Sequence, residues 1–494
     1  MKRKVVVIGG GIAGLSAGIY AQKCGFDVTI LESHSLAGGN CTSWKRGGYL
    51  FEGGMHWLSG SAPQEKLNSL WRHVGALNDN VAIHYPEPFI EYDDNGTPVR
   101  FYRNVDATEQ HMLALSPADA KEIRRLCNHI RKVKNLAIPI TNLRGLKTTK
   151  KNRLPLSLLS SALSALLLIR SFSKISREQY LSRFHHAGIR EMLRACTSES
   201  NGVLPLFFTM GTLARGDGGF PEGGSLPFVQ RMAKTFASLG GQLLLNTRAE
   251  RVLVKNGQAT GVMAGDKQLD TNAVIVASDT MAMEHLFDIP PQAAWLEEMR
   301  AKTQPTMATL VCLGMGVSLK KYNNYIIFKL KTPIKLAEQT YEYLRANNYA
   351  ADAVYSPKGK TAMTFQLGGD TYAFWKKAKE EGRYEEEKQK IAHEVVAALT
   401  THIPEVEGRV EVSNVATPLT YERYCANWKG SWMTEMTPGM KMKSYPAVIK
   451  GLEGVYFAGH RMVPPGGLPI ALLSGRTAVQ YLCRDRGTLF VCEE

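Results

Sequence analysis

Three sets of residues in this chain have types and spacings suited to chemistry. Gly9, Gly11 and Gly14 stand as Gly-x-Gly-x-x-Gly, and Glu32 ends the apolar run that follows. Such a set suits a dinucleotide. The first glycine permits a tight turn, the second lets a pyrophosphate approach the backbone, and the third lets a helix lie close on a strand. Backbone N–H groups around Ile12 and Ala13 would face the phosphates, and Glu32 would accept hydrogen bonds from ribose hydroxyls. A second set is Gly38-Gly39-Asn40 followed by Gly53-Gly54-Met55-His56-Trp57. The third lies near the far end, with Gly459-His460-Arg461 and then Gly466-Gly467-Leu468-Pro469-Ile470.

The elements that must position these residues follow from pattern. Val5 to Ile8 is a β-branched, fully apolar run, as expected of a parallel strand buried on both faces. An Ala/Leu/Ile-rich helix runs to Cys24 with Gly25 as its C-cap, and Asp27 to Leu31 is a second strand ending at Glu32. Near the far end Gly454 to Ala458 reads as a strand. A helix then runs to about Cys483, with Pro469 near its first turn. Between them, Phe220 to Gly224 opens a helix over Leu226 to Leu239. Strands are expected at Gln242 to Asn246, Ala249 to Val254, Gly261 to Met263 and Asn272 to Ser278. Gly216-Asp217-Gly218 lacks a third glycine and a preceding apolar strand, so a second, nicotinamide-binding domain is not expected.

These motifs together resemble the phytoene desaturase, carotenoid isomerase and retinol saturase group of FAD-dependent oxidoreductases, within the amine-oxidase-like flavoprotein superfamily. The resemblance implies an α/β fold: a Rossmann-type FAD-binding domain assembled from 1–75, 220–285 and 445–494, with an interleaved α+β substrate domain from 76–219 and 286–444. It implies that Gly38 and Gly39 pass the FAD phosphates and that Met55 and His56 run near the isoalloxazine. Ala249 would touch the adenine through its backbone. The helix entered through Gly467, Pro469 and Ile470 would aim its N-terminus at the flavin pyrimidine, where the positive end of its dipole favours the anionic reduced ring. Two positions depart from the group. Asn40 stands where many relatives carry Arg or Lys, which removes a phosphate-binding charge. His460 follows Gly459, where many carry Asp or Glu to hold the ribityl chain.

The implied activity is hydride exchange between flavin N5 and a carbon–carbon bond of a lipophilic polyene or isoprenoid, as desaturation, saturation or isomerisation. His56, as proton donor, and Arg461, as charge stabiliser, are the polar candidates near the ring. The alternative is an amine-oxidase-like or protoporphyrinogen-oxidase-like flavin oxidase. A non-enzymatic FAD-binding membrane scaffold is disfavoured by motifs at both ends of the cofactor. Direction, electron acceptor or donor, and oligomeric state are left open.

Composition bounds the rest. The chain has 494 residues, 44% hydrophobic and 21% charged, which excludes a disordered or polytopic membrane protein. Its net charge is +15, and residues 121–190, with 16 Lys or Arg against 2 acids, carry +14 of it. They surround Leu154 to Ile169, an uncharged apolar stretch that as a helix would span about 24 Å, short of a ~30 Å hydrocarbon core. Lys147, Lys150, Lys151 and Arg153 precede it, and Arg170, Lys174 and Arg177 follow. An apolar helix between cations predicts peripheral docking of 147–177 on an anionic membrane; the competing expectation is an ordinary core or dimer helix. These cations flank leucines rather than interleave with aromatics, and no nucleic-acid module is present, so nucleic acid is excluded as a partner. The eight cysteines show neither Cys-x-x-Cys nor zinc-ligand spacing, so no metal site and reduced thiols are expected. Lys2-Arg3-Lys4 and the apolar run after it look like a secretory signal. That run contains the glycine motif, however, so the expectation is mature sequence and a cytoplasmic protein.

Overall fold

A computed structural model describes residues 3–93, 97–134, 136, 138–149, 169–196, 202–440 and 443–493. The strand Lys4–Ile8, the helix Ile12–Lys23 and the strand Asp27–Leu31 form the opening βαβ unit. They belong to a five-stranded sheet in the order Val455–Phe457, Val274–Val276, Lys4–Ile8, Asp27–Leu31, Gln242–Leu244. Every neighbouring pair is parallel, with Val7 opposite both Ile30 and Ile275. A sheet of this kind is covered on both faces, and the side chains sort accordingly. Val5, Val7, Val28, Ile30 and Ile275 pack under the helices Ile12–Lys23, Ser225–Ser238 and Leu468–Arg486. Val6, Ile8, Leu31, Val274 and Val276 pack under an antiparallel sheet of Arg251–Lys255, Gln258–Ala264 and Lys267–Asp270. The strand expected from Ala249 therefore starts at Arg251. Helices Ile12–Lys23 and Leu468–Arg486 touch where Gly475 faces the carbonyl of Ala13, which any Cβ there would overlap.

The second large sheet has seven strands. Its order is Val410–Ala416, Ala308–Met315, Thr361–Gly368, Gln339–Asn348, Tyr325–Leu336, Ile90–Asp93, Val99–Phe101. Pairing is antiparallel except between Tyr325–Leu336 and Ile90–Asp93. Helices Tyr372–Glu380 and Tyr384–His402 pack on it around Trp375, Ile391 and Val395. The charged run 376–390 spans these two helices, which are broken at Gly382, whose φ is 75°.

A helical cluster gathers Val105–Leu115, Ala120–Val133, Ala187–Ala195 and Leu204–Ala214 around a separate apolar core. In Ala120–Val133 the buried stripe is Ile123, Leu126, Cys127, Ile130 and Val133, while Lys121, Arg124, Arg125 and Lys132 face outward. That spacing is the amphipathic pattern of a surface helix. The apolar stretch 154–168 lies outside the described residues. Its approach is held to the C-terminal helix and the tail that follows it. The Phe490 N–H donates to the Lys147 carbonyl at 2.8 Å, and Arg476 donates to Asn142 Oδ1 at 2.7 Å. Beyond it Arg170 and Lys174 are exposed, but Arg177 is buried and pairs with Glu178, so the outward-facing cations on that side end at Lys174. Among the described residues no helix is long and apolar enough to cross a membrane. All eight cysteines are free thiols.

Candidate functional site

The opening turn leaves the first strand at Gly9, whose N–H donates to the Leu31 carbonyl at 2.8 Å. Gly14 then packs so tightly on this turn that a Cβ would overlap the Gly9 carbonyl oxygen. Gly11 behaves differently. A Cβ there would sit 3.7 Å from the Gly38 carbonyl oxygen, an ordinary contact. Protein packing therefore does not demand this glycine; its missing side chain leaves a cradle beside Gly38 and Gly39. The Gly38 N–H donates to the Gly10 carbonyl at 3.0 Å and holds the two loops together. Ile12 and Ala13 open the first helix with no side-chain cap, so its terminal N–H groups have no side-chain acceptor. A site with free N–H groups and no side chain is suited to phosphate.

Glu32 is buried and held by backbone donors, with Gly10 N–H at 2.8 Å on Oε2 and His34 N–H at 2.8 Å on Oε1. Thr247 N–H donates to the Glu32 carbonyl at 2.8 Å, and Ala249 packs in the same cluster as Leu31. The fold thus gathers the residues expected at the adenosine end.

At the other end Glu52, which carried no role in the sequence reading, organises the second loop. Its buried carboxylate accepts from Gly54 N–H at 2.8 Å, Met55 N–H at 2.9 Å, Ser225 N–H at 2.8 Å and Ser225 Oγ at 2.5 Å. Burial pushes its pKa up, against these donors. The loop carrying Met55 and His56 is thereby tied to the start of the helix Ser225–Ser238. His56 Nε2 lies 2.7 Å from the side-chain amide nitrogen of Gln366 and its ring meets the edge of Trp432. With Gln366 donating, Nε2 is the acceptor and Nδ1 carries the proton. Burial lowers the His56 pKa to about 4. The neutral imidazole is thereby favoured near pH 7, with Nδ1–H as its donor.

The third set surrounds the entry to the helix Leu468–Arg486. Gly466 lies against the His460 ring, and a Cβ on it would come 3.0 Å from Nδ1. Both His460 ring nitrogens and the Ser278 hydroxyl are buried and lack a hydrogen-bond partner. Such groups cost about 1–3 kcal/mol each when unpaired, so their presence marks a place for a polar ligand. Burial, and then the Arg461 charge, lower the His460 pKa to about 4, which keeps it neutral. Gly459 N–H donates to Ser474 Oγ at 2.9 Å, fixing the turn. Gly467 starts the helix with φ 88° and no side-chain cap, and Leu468, Pro469 and Ile470 are half-buried.

Arg461, the expected charge stabiliser, is held in a buried ion pair. It is 1% exposed, and its Nε donates to both Asp279 oxygens at 2.8 and 3.0 Å. One terminal nitrogen donates to Ser431 Oγ at 2.6 Å, the other to Thr434 Oγ1 at 3.3 Å. Burial pushes the Asp279 carboxyl up, but Arg461 outweighs it and holds the pKa below the usual carboxylate range. The pair is a strut joining the end of the Val274–Val276 strand to the Gly459 turn. Its acid was missed in the sequence, although Asp279 stands directly after Ser278 at that strand's end. Gln366 was missed as well, and no local motif marks it.

Uncapped helix starts, a glycine cradle and orphaned polar atoms at the far end form an elongated site that fits FAD, and fold and site together define a flavoprotein oxidoreductase. The family described as flavin containing amine oxidoreductase matches residues 12–483, and the chain belongs to it. With the dinucleotide fingerprint, the flavin is FAD. The chain is 23% identical over 492 residues to the all-trans-retinol 13,14-reductase of Danio rerio, covering 86% of this chain and 76% of that protein. It is 25% identical over 289 residues to the lycopene-forming phytoene desaturase of Pseudescherichia vulneris, covering 56% of each. The fold is similar to the crystal structure of an oxidoreductase from Methanosarcina mazei, at a TM-score of 0.59 and 17% identity, covering 97% of this chain and 100% of that one.

Proposed function

We propose that this enzyme uses FAD to desaturate, saturate or isomerise carbon–carbon bonds of a lipophilic polyene or isoprenoid. Bound FAD supplies a hydride acceptor or donor at N5. The observation that carries this reading is the aromatic surround of His56: its ring meets the edge of Trp432 at 6.1 Å, Trp432 meets Tyr421 at 5.5 Å, and the adjoining half-buried Trp57 lies edge-on to Phe89 of the neighbouring core at 5.8 Å. Apolar, aromatic surroundings suit a lipophilic substrate better than a charged one. The polar group beside them, His56, is neutral and held by Gln366, so it orients rather than ionises. The curated relatives bear names of opposite redox direction, a reductase and a desaturase. The residues 1–75, 220–285 and 445–494 would form the FAD-binding domain, supported by the parallel sheet that draws a strand from each. The remainder would form the substrate domain.

The protein would meet its substrate while peripherally docked on an anionic membrane from the cytoplasmic side. Support comes from the +14 charge of 121–190 and from the outward Lys121, Arg124, Arg125 and Lys132. Each such cation near an anionic surface contributes roughly 1 kcal/mol. Incubating FAD-loaded protein with host lipid extract, aerobically and then with a reductant, tests the activity. A product differing by two hydrogens, or an isomer, is expected. A lipid fraction unchanged under both conditions would sink the proposal.

A further inference from the structure

Asn40, the uncharged residue directly after Gly38-Gly39, is held from elsewhere in the fold. Asn427 donates from Nδ2 to Asn40 Oδ1 at 2.5 Å and is itself 8% exposed. It lies in a strained corner, 426–430, in which Ala426 and Lys429 hold φ of 51° and 52° and Gly430 a φ of 62°. A Cβ on Gly430 would overlap the Pro418 carbonyl oxygen, so the corner has no room to relax in that direction. Non-glycine residues in this region cost of order 1 kcal/mol or more and persist only where the surroundings impose them. Here they do. Trp428 N–H donates to Asp279 Oδ2 at 3.0 Å, and Ser431 Oγ accepts from Arg461 at 2.6 Å. The corner is thus pinned to the buried Asp279–Arg461 pair and from there reaches across to the phosphate loop.

We propose that Asn427 is a positioning residue for the FAD pyrophosphate, acting through Asn40. By fixing Oδ1 of Asn40, it turns the Asn40 amide nitrogen toward the cradle between Gly11 and Gly39 as an oriented neutral donor. A freely rotating amide would present its oxygen to the phosphate for part of the time and repel it. The chain thus has at this position a neutral donor whose orientation is set by a second segment. A neutral contact is also insensitive to ionic strength, whereas an exposed cation–phosphate contact is screened as the Debye length shortens.

The test is FAD affinity of the apoprotein, by flavin fluorescence titration at low and high salt, for four proteins: the unsubstituted chain, Asn427→Ala, Asn40→Arg and the double variant. Asn427→Ala is expected to weaken FAD binding about tenfold, one hydrogen bond to a charged group. In the Asn40→Arg background the same change is expected to cost less than about threefold, because an arginine carries its own charge. The Asn40→Arg protein should also lose affinity with added salt more steeply than the unsubstituted chain. Asn427→Asp, isosteric with the native residue, guards against loss of fold. Its carboxylate would draw the Asn40 amide nitrogen away from the cradle and weaken FAD at least as much as the alanine. Unchanged affinity in both Asn427 variants would overturn the proposal. So would an equal loss from Asn427→Ala in both backgrounds, which is the mark of a merely structural role. Loss of FAD by Asn40→Arg alone would equally overturn it, because that side chain would then not face the phosphates.

Discussion

The two ends of the cofactor site are built by different means. At the phosphate end, position is set by backbone: Gly9 turns, Gly38 pairs with Gly10, and Gly14 lies against the Gly9 carbonyl with no space for a side chain. At the opposite end, position is set by side chains that meet across the chain: His56 with Gln366, Glu52 with Ser225, and Arg461 with Asp279. The failures should differ accordingly. At Gly14, at the first end, an added atom is a steric error with no remedy. At the second, removing one partner strands a buried polar group, while replacing both is tolerated.

The largest effect that would break this contrast is expected at the strut. Asp279→Ala leaves a buried guanidinium unpaired and should cost about 3–5 kcal/mol in thermal or urea unfolding. Pairing Asp279→Asn with Arg461→Gln should recover a substantial part. If the double variant is no better than the single, the ion pair is not the unit of stability here. Gly14→Val comes next. It should cost about 3 kcal/mol and abolish flavin retention, with no second substitution restoring it; normal flavin content in that protein would contradict the packing.

A third prediction is pH dependence of the apoprotein. His56 and His460 have folded pKa values of about 4, below the ordinary value of about 6.5. The unfolded chain therefore takes up these protons first. Stability is full above about pH 6.5 and is lost as pH falls toward 4. Asp279, whose pKa is depressed, adds a loss at still lower pH, below its unfolded value of about 3.9. The unfolding midpoint should fall across the 6.5 to 4 window, to which the half-buried His73, also lowered to about 4, contributes likewise, and replacing His56 and His460 with asparagine should make the fall shallower without abolishing it. The smallest effect is at Gln366. Gln366→Leu frees the His56 ring and should lower turnover about tenfold, with FAD affinity unchanged, as read by kcat and by flavin titration.

The same contrast explains what could be read in advance. Gly9, Gly11, Gly14 and Glu32 act through spacing along one strand–turn–helix–strand unit, so their roles are legible without coordinates. The Val274–Val276 and Val455–Phe457 strands were legible as short apolar runs, but their order, with Val274–Val276 beside Lys4–Ile8 and Val455–Phe457 outside it, is set by packing far along the chain. Gln366 has no such signal, because it reaches His56 from the middle of a strand far along the chain. Asp279 was hidden for a related reason: a carboxylate after a strand reads as a solvated loop until Arg461 is seen beside it. Net charge located the cationic region, yet only the fold separates outward Lys121 and Lys132 from the buried Arg177.

The most direct measurement is anaerobic mixing of the oxidised and, separately, the reduced FAD-loaded protein with a detergent-solubilised polyene and with simple aliphatic amines, following the flavin absorbance and product mass. A lipophilic polyene is expected to bleach the oxidised flavin, reoxidise the reduced one, or return an isomer with neither, while the amines leave both states untouched. Bleaching by amines, with polyenes recovered unchanged in mass and geometry, would contradict the account.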